Sequence, residues 1–189
     1  APPKFVWVTT SAQAYEVMEK ESDIDMVICM YNVGDKDIFH FASDMKTGHK
    51  DVPFVLLTHF SKEIYRRLSV QDTSAVDYMF SWHGNADLIV AIIKLFEDRI
   101  NADNDILEVG VQAILLVEDS VRFYSTYLPE LYKMILKQSA EFLKETLNEQ
   151  QRKFMKRSRP KILLATNLDD AMSMYDKYKS NLLGVISDV

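Results

Sequence analysis

The sequence predicts an α/β protein built on a doubly wound parallel sheet. Short β-rich apolar runs alternate with segments of helical spacing along the chain. The runs are continuous rather than alternating, as expected of parallel strands covered by helices on both faces. A strand, helix, strand pattern also occurs twice.

The apolar runs lie at residues 5–9, 26–30, 54–58, 76–80, 114–117, 162–165 and 185–187, and each predicts a strand. Helical spacing covers residues 12–20, 38–45, 61–68 and 86–100. In the last of these, Leu88, Ile92, Leu95 and Phe96 form an apolar stripe that Asn85 is placed to cap. The polar stretch 101–110 contains Asp103, Asn104, Asp105 and Gly110, breaks the periodicity and marks a boundary between modules at 1–105 and 110–189. The repeat aligns Pro3-Lys4-Phe5 with Pro160-Lys161-Ile162, Ala14 with Ala171, Lys20 with Lys177, and Val27-Ile28 with Val185-Ile186 after a one-residue shift.

Composition bounds the function. A chain of 189 residues, 48 % hydrophobic with five Gly and five Pro, is globular. A net charge of −6 argues against general nucleic-acid binding. The cations Arg152, Lys153, Lys156, Arg157, Arg159 and Lys161 are read as a solvated complement to the negative end of a helix. The longest apolar runs, such as 113–117, are too short for a bilayer, and no leader opens the chain, so a soluble, cytoplasmic protein without a membrane partner is expected. Cys29 cannot form an internal disulfide and reads as a small buried side chain. His40, His49, His59 and His83 lack metal-ligand spacing and read as surface or loop residues. The five glycines build no G-x-G-x-x-G, P-loop or G-x-S-x-G motif, so no enzyme is expected in this stretch.

The constellation that carries chemistry is acidic. The run ILLV ends in Glu118-Asp119, and the run GVIS ends in Asp188. Neighbouring strand ends of a doubly wound sheet would bring the three carboxylates together, where oxygen-only ligands suit Mg²⁺. One carboxylate would accept a phosphoryl group while the metal neutralises developing charge. The plainer reading is that Glu118 and Asp119 cap the helix that begins near Ser120.

This pattern resembles the receiver domains of response regulators, whose sheet has the order 2-1-3-4-5, with an acidic pair after the first strand and an acceptor aspartate after the third. The resemblance implies that Glu118 and Asp119 are the magnesium pair and Asp188 the phosphoacceptor, with the family's Thr or Ser and its Lys falling beyond Val189. It implies a histidine kinase or other phosphodonor as partner. From residue 25 onward the first module resembles the same family in degenerate form. Met30 stands at the acceptor position, Thr58 matches the hydroxyl position, and Ser81 replaces the lysine, with Trp82 after it. A thioether cannot take a phosphoryl group, so this module is expected to be a pseudo-receiver. The segments ILLVEDS, RPKILLA and LGVISDV are similar to bacterial proteins in which paired receiver-like domains precede a phosphoenolpyruvate synthase or pyruvate phosphate dikinase type catalytic region, which implies further domains of a longer parent chain.

Between Asp119 and Pro160 lies a segment longer than the family's first helix, with apolar positions Leu131, Ile135, Leu136, Phe142, Leu143 and Leu147. Pro129 would sit in its first turn or kink it, and from there to Arg157 the helix would span roughly 43 Å. Its overhang is expected to support self-association or an interdomain contact, as is the exposed strand edge at 185–187. The first module lacks the family's first strand. Residues 114–117 either fill that slot, making a permuted receiver with Glu118 and Asp119 beside Met30, or belong with Asp188, the preferred arrangement. The chain is read as a fragment, and a non-phosphorylated docking or oligomerisation region of a larger enzyme is the alternative function.

Overall fold

The computed structural model describes residues 3–32, 36–59, 64, 66, 68, 70–145 and 159–188, with the side chains of 142–145 outside the description. The chain is mixed α/β with parallel sheets and divides into two compact units, Ala1–His83 and Gly84–Val189.

In the first unit, α1 (Ser11–Lys20) starts where the Thr10 side chain accepts from the Gln13 N–H. Gln13 reaches back to accept from the Thr9 N–H at 2.9 Å, a reciprocal cap. Three strands follow, β1 (Val27–Met30), β2 (Phe54–Thr58) and β3 (Tyr78–Ser81), with α2 (Ile38–Gly48) between the first two. Asp37 caps α2 by accepting from the Phe39 and His40 N–H groups. The sheet order is β1-β2-β3, parallel throughout, with Met30 beside Leu57 and Thr58 beside Ser81. Every residue of the central strand β2 is buried. Met18, Phe41, Met45 and Phe54 form the core with edge-to-face contacts of Phe41 on Tyr15 and Phe54. Asp77 ties the start of β2 to α2, accepting from the Phe54 N–H and pairing with Lys46, each at 2.7 Å.

The second unit begins with α3 (Ala86–Ala102), capped by Asn85 as its sequence predicts, and runs directly into one π-helical segment, Asp103–Glu108. Gly110, at φ 79°, supplies the left-handed turn that ends it. Then come β4 (Ala113–Val117), α4 (Val121–Glu145), β5 (Lys161–Ala165), α5 (Leu168–Tyr178), a single 3-10 turn and β6 (Leu182–Ser187). The sheet order is β5-β4-β6, again parallel. Ala102 and Ile106 pack with Ala113, Leu115, Leu163, Ala165, Ala171 and Tyr178 in one core cluster.

Three expectations change, and one alternative is removed. Residues 5–9 form no strand, and Trp7 is 90 % exposed: among the described residues β1 pairs with β2 alone, and no neighbouring strand takes up the polar backbone of this apolar segment. The stretch 101–110 is helical rather than a linker, and the compact units meet at His83 and Gly84 because α3 packs on α4 and β5. Pro129 lies well inside α4, which begins at Val121, so the proline neither starts the helix nor stops it. Val117 has Ala165 and Ser187 as its strand partners, so β4 lies beside neither Val27 nor Val6, the permuted arrangement is excluded, and 114–117 shares a sheet with the strand that leads to Asp188, as preferred. The continuation of the long helix through 146–158, and most of the helix expected at 61–68, lie outside the described residues.

A buried ionic cluster explains the attachment of α3. Asp98 is fully buried, and Arg159 grips it with two nitrogens at 2.6 and 3.0 Å. Tyr132 Oη and the Ile162 N–H also donate to it, each at 3.0 Å. Lys161 Nζ lies 3.7 Å from Asp98 and 2.6 Å from Asp105. Arg159 and Lys161 are therefore buried counterions and not solvated cations at a helix end. The other four cations of that cluster, Arg152, Lys153, Lys156 and Arg157, lie outside the described residues.

Candidate functional site: three carboxylates at the strand ends of the second unit

Strand β4 is a continuous apolar run because its flanking strands β5 and β6 hold it at the centre of the sheet. The chain leaves it through Glu118, whose N–H still donates to the Ala165 carbonyl at 3.0 Å and so continues the ladder with β5. Glu118 is buried and accepts from the Ser120 N–H at 3.0 Å, just where the backbone turns into α4. The Phe123 and Tyr124 N–H groups close on the Ser120 carbonyl, which makes Ser120 the residue on which the helix is nucleated.

Asp188 follows β6 in the same way. Ser187 is level with Val117, so the parallel register delivers both strand ends to one edge of the sheet. Glu118, Asp119 and Asp188 each offer one carboxylate oxygen, and these three oxygens lie within 4.8 Å of one another. Asp119 and Asp188 are exposed, whereas Glu118 is buried. The sequence-predicted carboxylates are thus brought together, and Glu118 also has the capping role of the plainer reading. Like charges at this separation repel unless a cation or proton lies among them. Three carboxylate oxygens with open solvent on one side suit a hard divalent ion that keeps several waters, as Mg²⁺ does.

The matching edge of the first unit carries different groups. Met30 ends β1 and is exposed, and Thr58 and Ser81 are buried neighbours at the ends of β2 and β3. Thr58 Oγ1 donates to the His59 carbonyl at 3.5 Å, and Ser81 Oγ lies 2.9 Å from His83 Nε2. Cys29, half-buried within β1, has its thiol pushed up to about 11 by burial, which keeps it protonated. At this edge Met30 offers a thioether, which cannot take a phosphoryl group.

The sequence reading missed Asp98, whose acidic side chain inside an amphipathic helix looks like any surface charge. It also missed the approach of His59 and His83, since pairing of β2 with β3 brings together residues that are remote along the chain. No helix among the described residues is long and apolar enough to cross a membrane. No protein-family model, curated protein or solved structure matches this chain.

Proposed function

We propose that the chain is a signal-receiving regulatory region of the two-component type, in which the second unit takes a phosphoryl group on Asp188 with Mg²⁺ held by Glu118, Asp119 and Asp188, and the first unit is an inactive pseudo-receiver. The observation that carries this reading is the convergence of the three carboxylate oxygens within 4.8 Å at the carboxyl ends of β4 and β6. The order β5-β4-β6 supports it, being the order in which the first three strands of a receiver would lie. The cation would neutralise the carboxylates and the incoming phosphoryl oxygens, and Asp188 would supply the attacking oxygen. A histidine kinase or small phosphodonor is the corresponding partner, and a cytoplasmic setting suits it.

Titration with Mg²⁺, followed by the amide resonances of β4, β6 and the first turn of α4, tests the metal step. Saturable shifts that disappear in Asp188→Asn and Glu118→Gln are expected. Acetyl phosphate with Mg²⁺ then tests the transfer, read as a phosphate adduct by intact mass that is absent in Asp188→Asn. Unchanged resonances at Mg²⁺ concentrations well above those of a cell would sink the proposal.

A second reading, a non-phosphorylated docking or oligomerisation region of a larger phosphoenolpyruvate synthase-like enzyme, draws on exposed apolar surface. Phe123, Tyr127 and Met134 are exposed on α4, with Phe123 and Tyr127 stacked 6.1 Å apart, and Leu183, Val185 and Ile186 are exposed on the edge strand β6. Concentration-dependent sedimentation that is abolished by Tyr127→Glu or Val185→Lys would favour it.

A further inference from the structure

The carboxyl edge of the first unit carries a pair of imidazoles that the function proposed above does not use. Strands β2 and β3 are parallel and level at Thr58 and Ser81. The Trp82 N–H donates to the Thr58 carbonyl at 2.9 Å, so the ladder continues one residue past β3 and fixes where the chain leaves the sheet. His59 follows β2 directly, and His83 follows Trp82. Their rings approach to 6.4 Å between centroids, inclined at 55°, and both side chains are exposed. In parallel α/β sheets this is the edge at which ligands bind.

Two imidazoles that share one metal ion at the usual nitrogen distance of about 2.1 Å have centroids up to about 6.5 Å apart when the bonds are opposed, and about 5.3 Å apart at a tetrahedral angle. The observed separation lies inside the upper limit, and exposed rings need move only about 1 Å in all to reach the tetrahedral value. A separate observation concerns orientation. Ser81 Oγ, on a buried residue, lies 2.9 Å from His83 Nε2, and in the tautomer whose Nε2–H donates to that oxygen the Nδ1 lone pair faces a metal. Metal-bound histidines are held in this manner, the second ring nitrogen being tied to a fixed polar group that sets tautomer and ring direction.

We propose that His59 and His83 form a two-imidazole site for a divalent transition-metal ion, of the Zn²⁺, Ni²⁺ or Cu²⁺ class, at the carboxyl edge of the first unit, with His83 oriented by Ser81 and water filling the remaining positions. Neutral imidazole selects such ions over Mg²⁺, which takes oxygen ligands. The site is thus chemically distinct from the carboxylate cluster of the second unit and stands or falls independently of the phosphoryl-transfer reading.

The test titrates the whole chain with ZnCl₂ and with NiCl₂ and follows the imidazole resonances of all four histidines. His59 and His83 should shift together with one-to-one stoichiometry, ahead of His40 and His49. His59→Gln and His83→Gln should each weaken binding at least tenfold, and Ser81→Ala should weaken it less. Because both rings are exposed, these two histidine variants should keep the native amide spectrum, and His40→Gln serves as the neutral control. Excess Mg²⁺ should leave the histidine shifts unchanged. The proposal is overturned if His40 or His49 responds at the same metal concentration, or if either single histidine variant binds Zn²⁺ as tightly as the natural chain.

Discussion

Replacement of Asp98 by Asn probes the cluster that joins α3 to the second unit. Asp98 has no solvent exposure, and the Arg159 side chain facing it is only 5 % exposed. The neutral amide can still accept from Tyr132 and from the Ile162 N–H, but Arg159 loses its bidentate counterion, and Lys161 keeps only Asp105. Removal of one partner from a buried ion pair costs about 3–5 kcal/mol, chiefly because the other charge is left uncompensated in a dry site. For a unit of about a hundred residues, each kcal/mol lowers the melting temperature by roughly 4 °C, so a fall of about 12–20 °C is expected. Differential scanning calorimetry of the full chain reads this. The effect should fall on the transition reported by resonances of β4 and β5 and spare that of β2. A paired replacement, Asp98→Leu with Arg159→Met, should recover a large part of the loss, since apolar groups of similar volume avoid the desolvation cost. A melting temperature within about 4 °C of the natural chain for Asp98→Asn, roughly 1 kcal/mol, would refute the claim that this cluster holds α3 in place.

Two further outcomes concern titration. Burial, then the nearby Asp98 charge, holds the Tyr132 phenol well above its ordinary value of 10.0. The unfolded chain therefore releases this proton first as pH rises. The stabilisation is fully present below about pH 10 and is lost as the pH climbs toward the folded value, so the urea midpoint of the second unit should fall above about pH 10 and fall less steeply in Tyr132→Phe. Tyr178, raised by burial and by its bond to Asp103, should keep a smaller slope in that variant. With the Cys29 thiol raised to about 11, only about one part in a thousand is thiolate at pH 8. Thiol-disulfide exchange with a coloured reagent should then be slow in the folded chain and rapid in urea, and equal rates in the two states would contradict the burial of this residue.

Strands whose apolar runs are flanked by turn residues were legible from sequence, as at residues 54–58, because a fully buried parallel strand needs no polar face. Helix starts were equally readable where a side chain competes for free N–H groups, as Asn85 does. Residues 5–9 have the same composition as a strand and yet form none, since strand formation depends on a partner that local sequence does not disclose. The meeting of Glu118, Asp119 and Asp188 followed from strand order alone, because parallel strands end at one edge. Lys161 reads as solvated from sequence, and Asp98 escapes notice, because a charge beside apolar residues looks like a surface group until its counterion is found in another element. The π-helical segment Asp103–Glu108 reads as a module boundary from sequence, because its acidic residues lower helix propensity while their partners, Lys161, Lys177 and Tyr178, come from β5 and α5.

The allegiance of α3 decides how the two halves can be separated for study. A cut after residue 105 would carry away a helix whose Leu88, Ile92 and Leu95 were shaped to fit the other half, and would leave Arg159 and Lys161 facing an empty space. A cut between His83 and Gly84 falls at the boundary of the two compact units and keeps Asp98, Arg159 and Lys161 in one piece. Gly84 itself, at φ 80°, is a natural hinge point for that incision, with the capping residue Asn85 retained by the helix that needs it.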